Sequence, residues 1–256
     1  MGSAAMQGLK VALTGVGGDE LFGGYPSFRQ IPRLLRWGRY VPFSKPLGRS
    51  VQATLRAMSL PGIPPKAAGL LSHSGDIASA YLLRRALYLA DELDALLDES
   101  WLREGLEGLL TLRTIKQTIE PLRTTRATNH AQVAALESCW YMRNQLLRDT
   151  DWSSMAHGLE VRVPFVDIRL LEHIAPAIAS AAPPSKKDLV ACAESLPLAV
   201  LDRAKTGFTT PVQRWIADGR STSARGLRGW ATNVHRLFDT FTQPNYPNLD
   251  SSLAAA

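Results

Sequence analysis

Three stretches concentrate the side chains that could do chemistry. The first, "TGVGGDE", runs from Thr14 to Glu20 and sets three glycines before an acidic pair. Glycines let a backbone approach an anion closely, and N–H groups at a helix start can point at it. Carboxylates at that entrance would repel a bare phosphate, so Asp19 makes sense as a ligand for Mg²⁺ that in turn holds phosphates. The loop alone equally allows Asp19 as a helix cap and Glu20 as a helix-dipole partner. The second stretch, "LLRDTDWSSMAHGLEVRVPFVD" (146–167), gathers Asp149, Asp151, His157, Glu160, Arg162 and Asp167. The third, "RAKTGFTTPVQRW" (203–215), presents Arg203 and Lys205 on a glycine-containing turn. Beside a metal–phosphate site, Lys205 would neutralise charge on a transferring or departing phosphate.

These groups need elements to hold them. "KVALT" reads as an apolar strand over about 9–14, so the glycine loop follows a strand and opens a helix. Arg29, Arg33 and Arg36 recur at helical spacing opposite Ile31, Leu34 and Leu35, as on a solvated basic face. Prolines and glycines break up 42–75. Amphipathic patterns predict helices over 76–99, 101–120 and about 129–149, the last burying Leu136, Cys139, Trp140 and Met142. "LEVRVPF" reads as a short extended segment, with Asp167 as the N-cap of the following helix. Further helices are expected at "SKKDLVACAESL" and from Pro211 to Gly219. A single parallel strand leaves its backbone groups unpaired, so most of the sheet is expected to lie upstream of Met1.

Composition narrows the partners. The 256 residues are 45% hydrophobic and 20% charged, with a formal net charge of +6. That composition suits an ordinary globular protein, and the charge is too modest to argue for nucleic acid. Cys139 and Cys192 are far apart with no metal-binding spacing, so reduced, buried thiols in a cytoplasmic protein are expected. No apolar run approaches the roughly 18 residues of a membrane span, and the start has no signal-peptide pattern.

Taken together, the three stretches resemble the glutamine-dependent asparagine synthetase family, in the second half of its synthetase domain. Thr14 to Tyr25 meet the family's Gly-rich Asp-Glu-Leu-Phe-Gly-Gly-Tyr pattern, Ser154 to Asp167 its "SMAHGLEVRVPF" pattern, and Lys205 to Pro211 its Lys-x-Gly-Phe-x-x-Pro pattern. The resemblance implies an α/β, mostly helical fold, part of an ATP-pyrophosphatase (adenine-nucleotide alpha-hydrolase-like) domain. It implies an ATP- and Mg²⁺-dependent ligase that adenylates a carboxylate, typically aspartate, and then lets ammonia or an amine attack. By position, Thr14, Gly15 and Gly17 would contact the nucleotide, Asp19 would hold Mg²⁺ and pyrophosphate, and Lys205 would stabilise charge. Glu160 and Arg162 would form a buried ion pair supporting the site.

The departures are specific. The family's glutaminase domain, with its N-terminal cysteine nucleophile, is not in this sequence, nor is its upstream Ser-Gly-Gly-x-Asp-Ser pyrophosphate loop. Expected partners are therefore an upstream synthetase half, a glutaminase domain or subunit, and a second copy of the chain. Val16 stands where the family's asparagine-forming members carry an acidic residue, and valine can neither take a proton nor bind a metal. That favours a non-aspartate substrate, as in macrolactam or polysaccharide-associated amide formation; a non-catalytic interaction fragment is the other alternative. Residues 1–7 read as a cloning remnant, 8–238 as the synthetase-like part and 239–256 as a flexible tail.

Overall fold

The computed structural model describes residues 1–40, 69–193, 196–197 and 227–242. The expected N-terminal strand forms as β1 (Val11–Leu13), after a short helix α1 (Gly2–Met6). It is paired in parallel with β2 (Glu160–Arg162), in the register Val11↔Glu160, Ala12↔Val161, Leu13↔Arg162. The ladder continues one residue at each end: Glu160 N–H donates to Lys10 O at 2.9 Å and Thr14 N–H to Arg162 O at 3.0 Å. Among the described residues these two strands are the whole sheet.

Everything described between the strands is a long helical crossover, as parallel pairing requires. α2 (Gly18–Leu21) follows the glycine loop, and Gly23 and Gly24 separate it from α3 (Ser27–Tyr40). α3 buries Phe28 and Ile31 and turns Arg29, Arg33 and Arg36 away from them, as its pattern predicts.

The helix expected over 76–99 is shorter. α4 (Ile77–Arg85) starts at Asp76, whose carboxylate accepts from Ser79 N–H, and stops where Ala86 turns extended. A tight turn of helix follows over Ala90–Ala95. The break is tertiary in origin. Arg228 makes a two-pronged ion pair with Glu92 (2.8 and 2.9 Å), Tyr88 Oη donates to Arg228 O, and Glu92 accepts from Leu89 N–H. No local periodicity reports such contacts. The expected helix over 101–120 is likewise two, α5 (Glu99–Leu109) and α6 (Thr111–Thr124), parted by Leu110 at φ +42°. Gly105 and Gly108 weaken the helix just before that break.

α7 (Asn129–Leu136) passes without interruption into a wide-turned, i→i+5 bonded segment, Glu137–Leu147, and then α8 (Arg148–Met155). Leu136 and Met142 are buried as expected, and Cys139 and Trp140 are half-buried. Asp167 caps α9 (Ile168–Ala179), its Oδ1 accepting from Arg169 and Leu170 N–H. Ser185 and Asp188 cap each other's backbone at the start of α10 (Lys186–Ala191). Helix α11 (Arg228–Thr242), unforeseen in the sequence, runs past position 239, where the tail was expected to begin.

The chain forms two compact units. One is Met1–Ala86 with Leu106–Arg203; the other is Leu87–Gly105 with Ala204–Ala256. In the first, α3, α4, α6, α7 and α9 pack around Ile31, Ile77, Tyr81, Ile115, Ile119 and Val133. Among the described residues of the second, Arg228 pairs with Glu92 and lies over the Tyr88 ring. Both cysteines are free, and neither is buried as expected: Cys139 is half-buried and Cys192 exposed. Among the described residues no helix is long and apolar enough to cross a membrane.

Candidate functional site

The loop Thr14–Gly18 leaves the carboxyl end of β1, the end of a parallel strand beside which α/β proteins bind their ligands. Thr14 is tied to β2 through Arg162 O, and Gly18 N–H closes a turn onto Gly15 O at 3.1 Å. Gly17 sits at φ +99°, in the left-handed region, and its backbone packs so close to Phe165 that an added Cβ would lie 3.0 Å from Phe165 Cβ. Glycine is therefore required there on two counts. Space around Gly15 is open, with nothing within 4 Å of where a side chain would begin. The loop is thus a backbone surface with room beside it.

Asp19 is the second residue of α2, and Gly17, not Asp19, occupies the cap position. Its carboxylate lies against Gly24, where even a methyl group would collide with Oδ1, and Gly24 N–H donates to Asp19 O at 2.8 Å. Lys186 Nζ, from the first turn of α10, donates to Asp19 Oδ1 at 2.9 Å. Nothing in the sequence singles out Lys186. It lies 167 residues from Asp19, and its own surroundings read only as a capped helix start. Lys205, expected to supply the cation here, lies outside the described residues, as does Arg203.

Glu20 lies in the first turn of α2, where the sequence allowed a helix-dipole partner, and is buried. It is 1% exposed and accepts from Tyr25 Oη at 2.8 Å. Burial pushes its carboxyl above the usual carboxylate range, against the pull of the Tyr25 hydrogen bond. Burial and the neighbouring Glu20 carboxylate likewise push the Tyr25 phenol up.

Next to this pair lies a half-buried ion pair that sequence reasoning missed. Glu137, wholly buried at the start of the wide-turned segment, accepts from Arg85 Nη2 at 2.6 Å and Nε at 2.9 Å, and from Ser27 Oγ. The Arg85 guanidinium stands 3.7 Å from the Tyr141 ring centre and 4.9 Å from that of Tyr25. Burial works against the Arg85 charge, but Glu137 outweighs it and holds the guanidinium above its ordinary pKa.

The Glu160–Arg162 pair forms, at 2.8 Å, but both side chains are about three-fifths exposed rather than buried. Residues two apart on a strand share a face, and this face of β1–β2, which also carries Val11 and Leu13, is open. Asp149 and Asp151 lie on the first turn of α8, and Asp151 and His157 are exposed. Among the described residues no group of three or more His, Cys, Asp or Glu could hold a metal. A magnesium ion here would take one carboxylate, Asp19, and complete its shell with phosphate oxygens and water, a usual mode for that ion. The residues present fit that mode. A separate cleft of about 380 Å³, lined by Arg39, Asp76, Arg123 and Gln132, lies on α3, α4, α6 and α7 and includes none of the loop residues.

A glycine turn thus leaves the end of a parallel strand, with an aspartate and a lysine at its mouth, in a mostly helical chain with a small parallel sheet. The family model "Asparagine synthase" matches residues 1–240, and the chain belongs to that family. It is 30% identical over 226 residues to proteins of Mycobacterium tuberculosis and Mycobacterium bovis described as "Putative asparagine synthetase (glutamine-hydrolyzing)", covering 84% of this chain and 32% of each relative. It is 27% identical over 248 residues to "Asparagine synthetase (glutamine-hydrolyzing) 1" of Bacillus subtilis, covering 90% of this chain and 34% of that protein. The chain therefore spans about a third of the length of these relatives. No solved structure matches it significantly.

Proposed function

We propose that this chain carries part of the phosphate-handling machinery of an ATP-dependent, amide-forming ligase of the asparagine synthetase type, working in the cytoplasm. In that reaction a substrate carboxylate oxygen attacks the α-phosphorus of ATP, the bond to the β-phosphate oxygen breaks, and pyrophosphate leaves. Ammonia or an amine then attacks the acyl carbon, AMP departs, and a proton is lost. The observation that carries this reading is the Asp19–Lys186 pair, 2.9 Å apart, at the mouth of the Thr14–Gly18 loop.

The residues divide the work by chemistry. Thr14, Gly15 and Gly17 offer backbone and hydroxyl groups to nucleotide phosphates, with Gly17 holding the bend. Asp19 is the group suited to Mg²⁺, which when bound supplies charge neutralisation for the phosphates. Lys186 keeps the loop mouth from being net negative; Lys205, expected from sequence to neutralise charge on a transferring or departing phosphate, remains a second proposed cation. An upstream synthetase half and a source of ammonia, such as a glutaminase domain, would complete the enzyme.

Val16 supports a second reading, in which the acylated substrate is not aspartate. It is half-buried in the loop and has no group to take a proton from an attacking amine. The test for both is pyrophosphate release from Mg²⁺-ATP with aspartate, using this chain alone and mixed with a separately expressed upstream half. Release only in the mixture supports aspartate activation by a site built from two pieces. Release in the mixture with other carboxylates but not aspartate supports the second reading, and release with no carboxylate overturns both.

A further inference from the structure

We propose that Arg85 is a positioning residue for the loop: packed against Tyr25 and Tyr141 and gripped by Glu137, it fixes the phenol that holds Glu20 and so sets where the adjoining Asp19 points. Its purpose, though not its geometry, rests on the phosphate-handling reading.

The chain of contacts is continuous. Arg85, on the last turn of α4, packs against two rings that meet edge-on, Tyr25 and Tyr141, whose centres are 5.7 Å apart. A planar guanidinium can pack on rings while presenting two N–H groups in a fixed fork to a carboxylate, which an ammonium cannot. Glu137 supplies that carboxylate: its Oε2 accepts from both Nε and Nη2, and its Oε1 takes the hydroxyl of Ser27, the first residue of α3. Tyr25, held in place by the guanidinium, donates its hydroxyl to Glu20. Glu20 and Asp19 are neighbours on a four-residue helix, so locking one sets the direction of the other. Glu137 opens the only wide-turned segment among the described helices, a feature frequent near functional sites.

Arg85→Lys keeps a cation for Glu137 but loses the plane and the two-pronged grip, and Tyr25→Phe keeps the ring but releases Glu20. The conservative core change Ile119→Val serves as a control for destabilisation without loosening the loop. Two readouts are needed on the full chain: calorimetric affinity for magnesium pyrophosphate, and amide chemical shifts of residues 14–24 in the absence of ligand. We expect both variants to move those shifts and to weaken binding about ten- to a hundredfold, as loss of an outer-shell contact typically does, with Ile119→Val changing neither. Unchanged loop shifts and affinity in Arg85→Lys would overturn the proposal. If the wild-type chain binds no magnesium pyrophosphate, the phosphate reading loses its support for the isolated chain, and the ligand-free shifts still decide whether Arg85 positions the loop.

Discussion

Lys186 Nζ and Asp19 Oδ1 stand 2.9 Å apart, which joins the start of α10 to a loop 167 residues earlier in the chain. Both side chains are partly exposed, so the pair contributes under about 1 kcal/mol to stability. Its consequence is electrical. An acidic loop mouth would repel a polyphosphate, and a lysine placed on the Asp19 carboxylate removes that repulsion.

Lys186→Ala should therefore separate binding from folding. Its melting temperature should stay near that of the wild type, while affinity for magnesium pyrophosphate falls about tenfold or more, the cost of one charge-assisted contact (~1.5–3 kcal/mol). Calorimetric titration and thermal melting on the same preparations check this. A variant that melts several degrees lower but binds normally would make Lys186 a structural clasp.

Asp19→Asn removes the charge and keeps the shape. In an enzyme completed by the upstream half, the variant should fold normally and lose pyrophosphate release by about a hundredfold or more, the usual scale for a group stabilising transferred charge. Release measured across a magnesium series is the check. Wild-type release from the Asp19→Asn enzyme would remove Asp19 from any metal role.

The two glycines flanking α2 should respond differently to alanine. Gly17→Ala meets φ +99° together with the Phe165 backbone at 3.1 Å, neither of which can yield cheaply. We expect a loss of about 1–3 kcal/mol in chemical denaturation, the usual cost of forcing a side chain into that region. Gly24→Ala collides instead with Asp19, at its Cβ (2.9 Å) as well as its carboxylate, so Asp19 itself must shift. Its stability should fall too, and its pyrophosphate affinity should fall further than that of Gly17→Ala because Asp19 has moved off its lysine. Equal destabilisation with unchanged binding in both would show that the Asp19 direction is immaterial.

What the sequence made legible was local. The strand, the glycine turn and the Asp167 cap follow from alternation, from glycine content and from a short acidic side chain before an apolar run. Pairings across the chain were not legible. Arg85 and Glu137 lie 52 residues apart, each on a helix whose pattern explains it adequately without the other. Lys186 carries a capping context that hides its reach to Asp19. The Glu160–Arg162 pair was correctly matched but wrongly buried, since a strand's own alternation does not say which face is covered. The helix over 76–99 failed for a related reason: Glu92 is spent on Leu89 N–H and Arg228 rather than on continuing a helical face.

His130 gives the pH dependence a definite sign. Its ring lies against Phe28 at a centroid distance of 4.8 Å, and its Cε1 lies only 2.9 Å from where a side chain on Gly23 would begin. Its Nε2 is buried with no hydrogen-bond partner among the described residues. Burial lowers its pKa below the ordinary value of 6.5. The unfolded chain then takes up a proton at a higher pH than the folded one, so stability rises with pH across that interval. His130's contribution is complete above about pH 6.5 and declines as pH falls through the window down to its lower folded value. Melting curves from about pH 8 to about pH 5, which bracket the ordinary imidazole pKa, should show the wild type losing stability relative to His130→Phe, which cannot be protonated. Parallel curves for the two proteins would mean that folding leaves the His130 pKa unlowered.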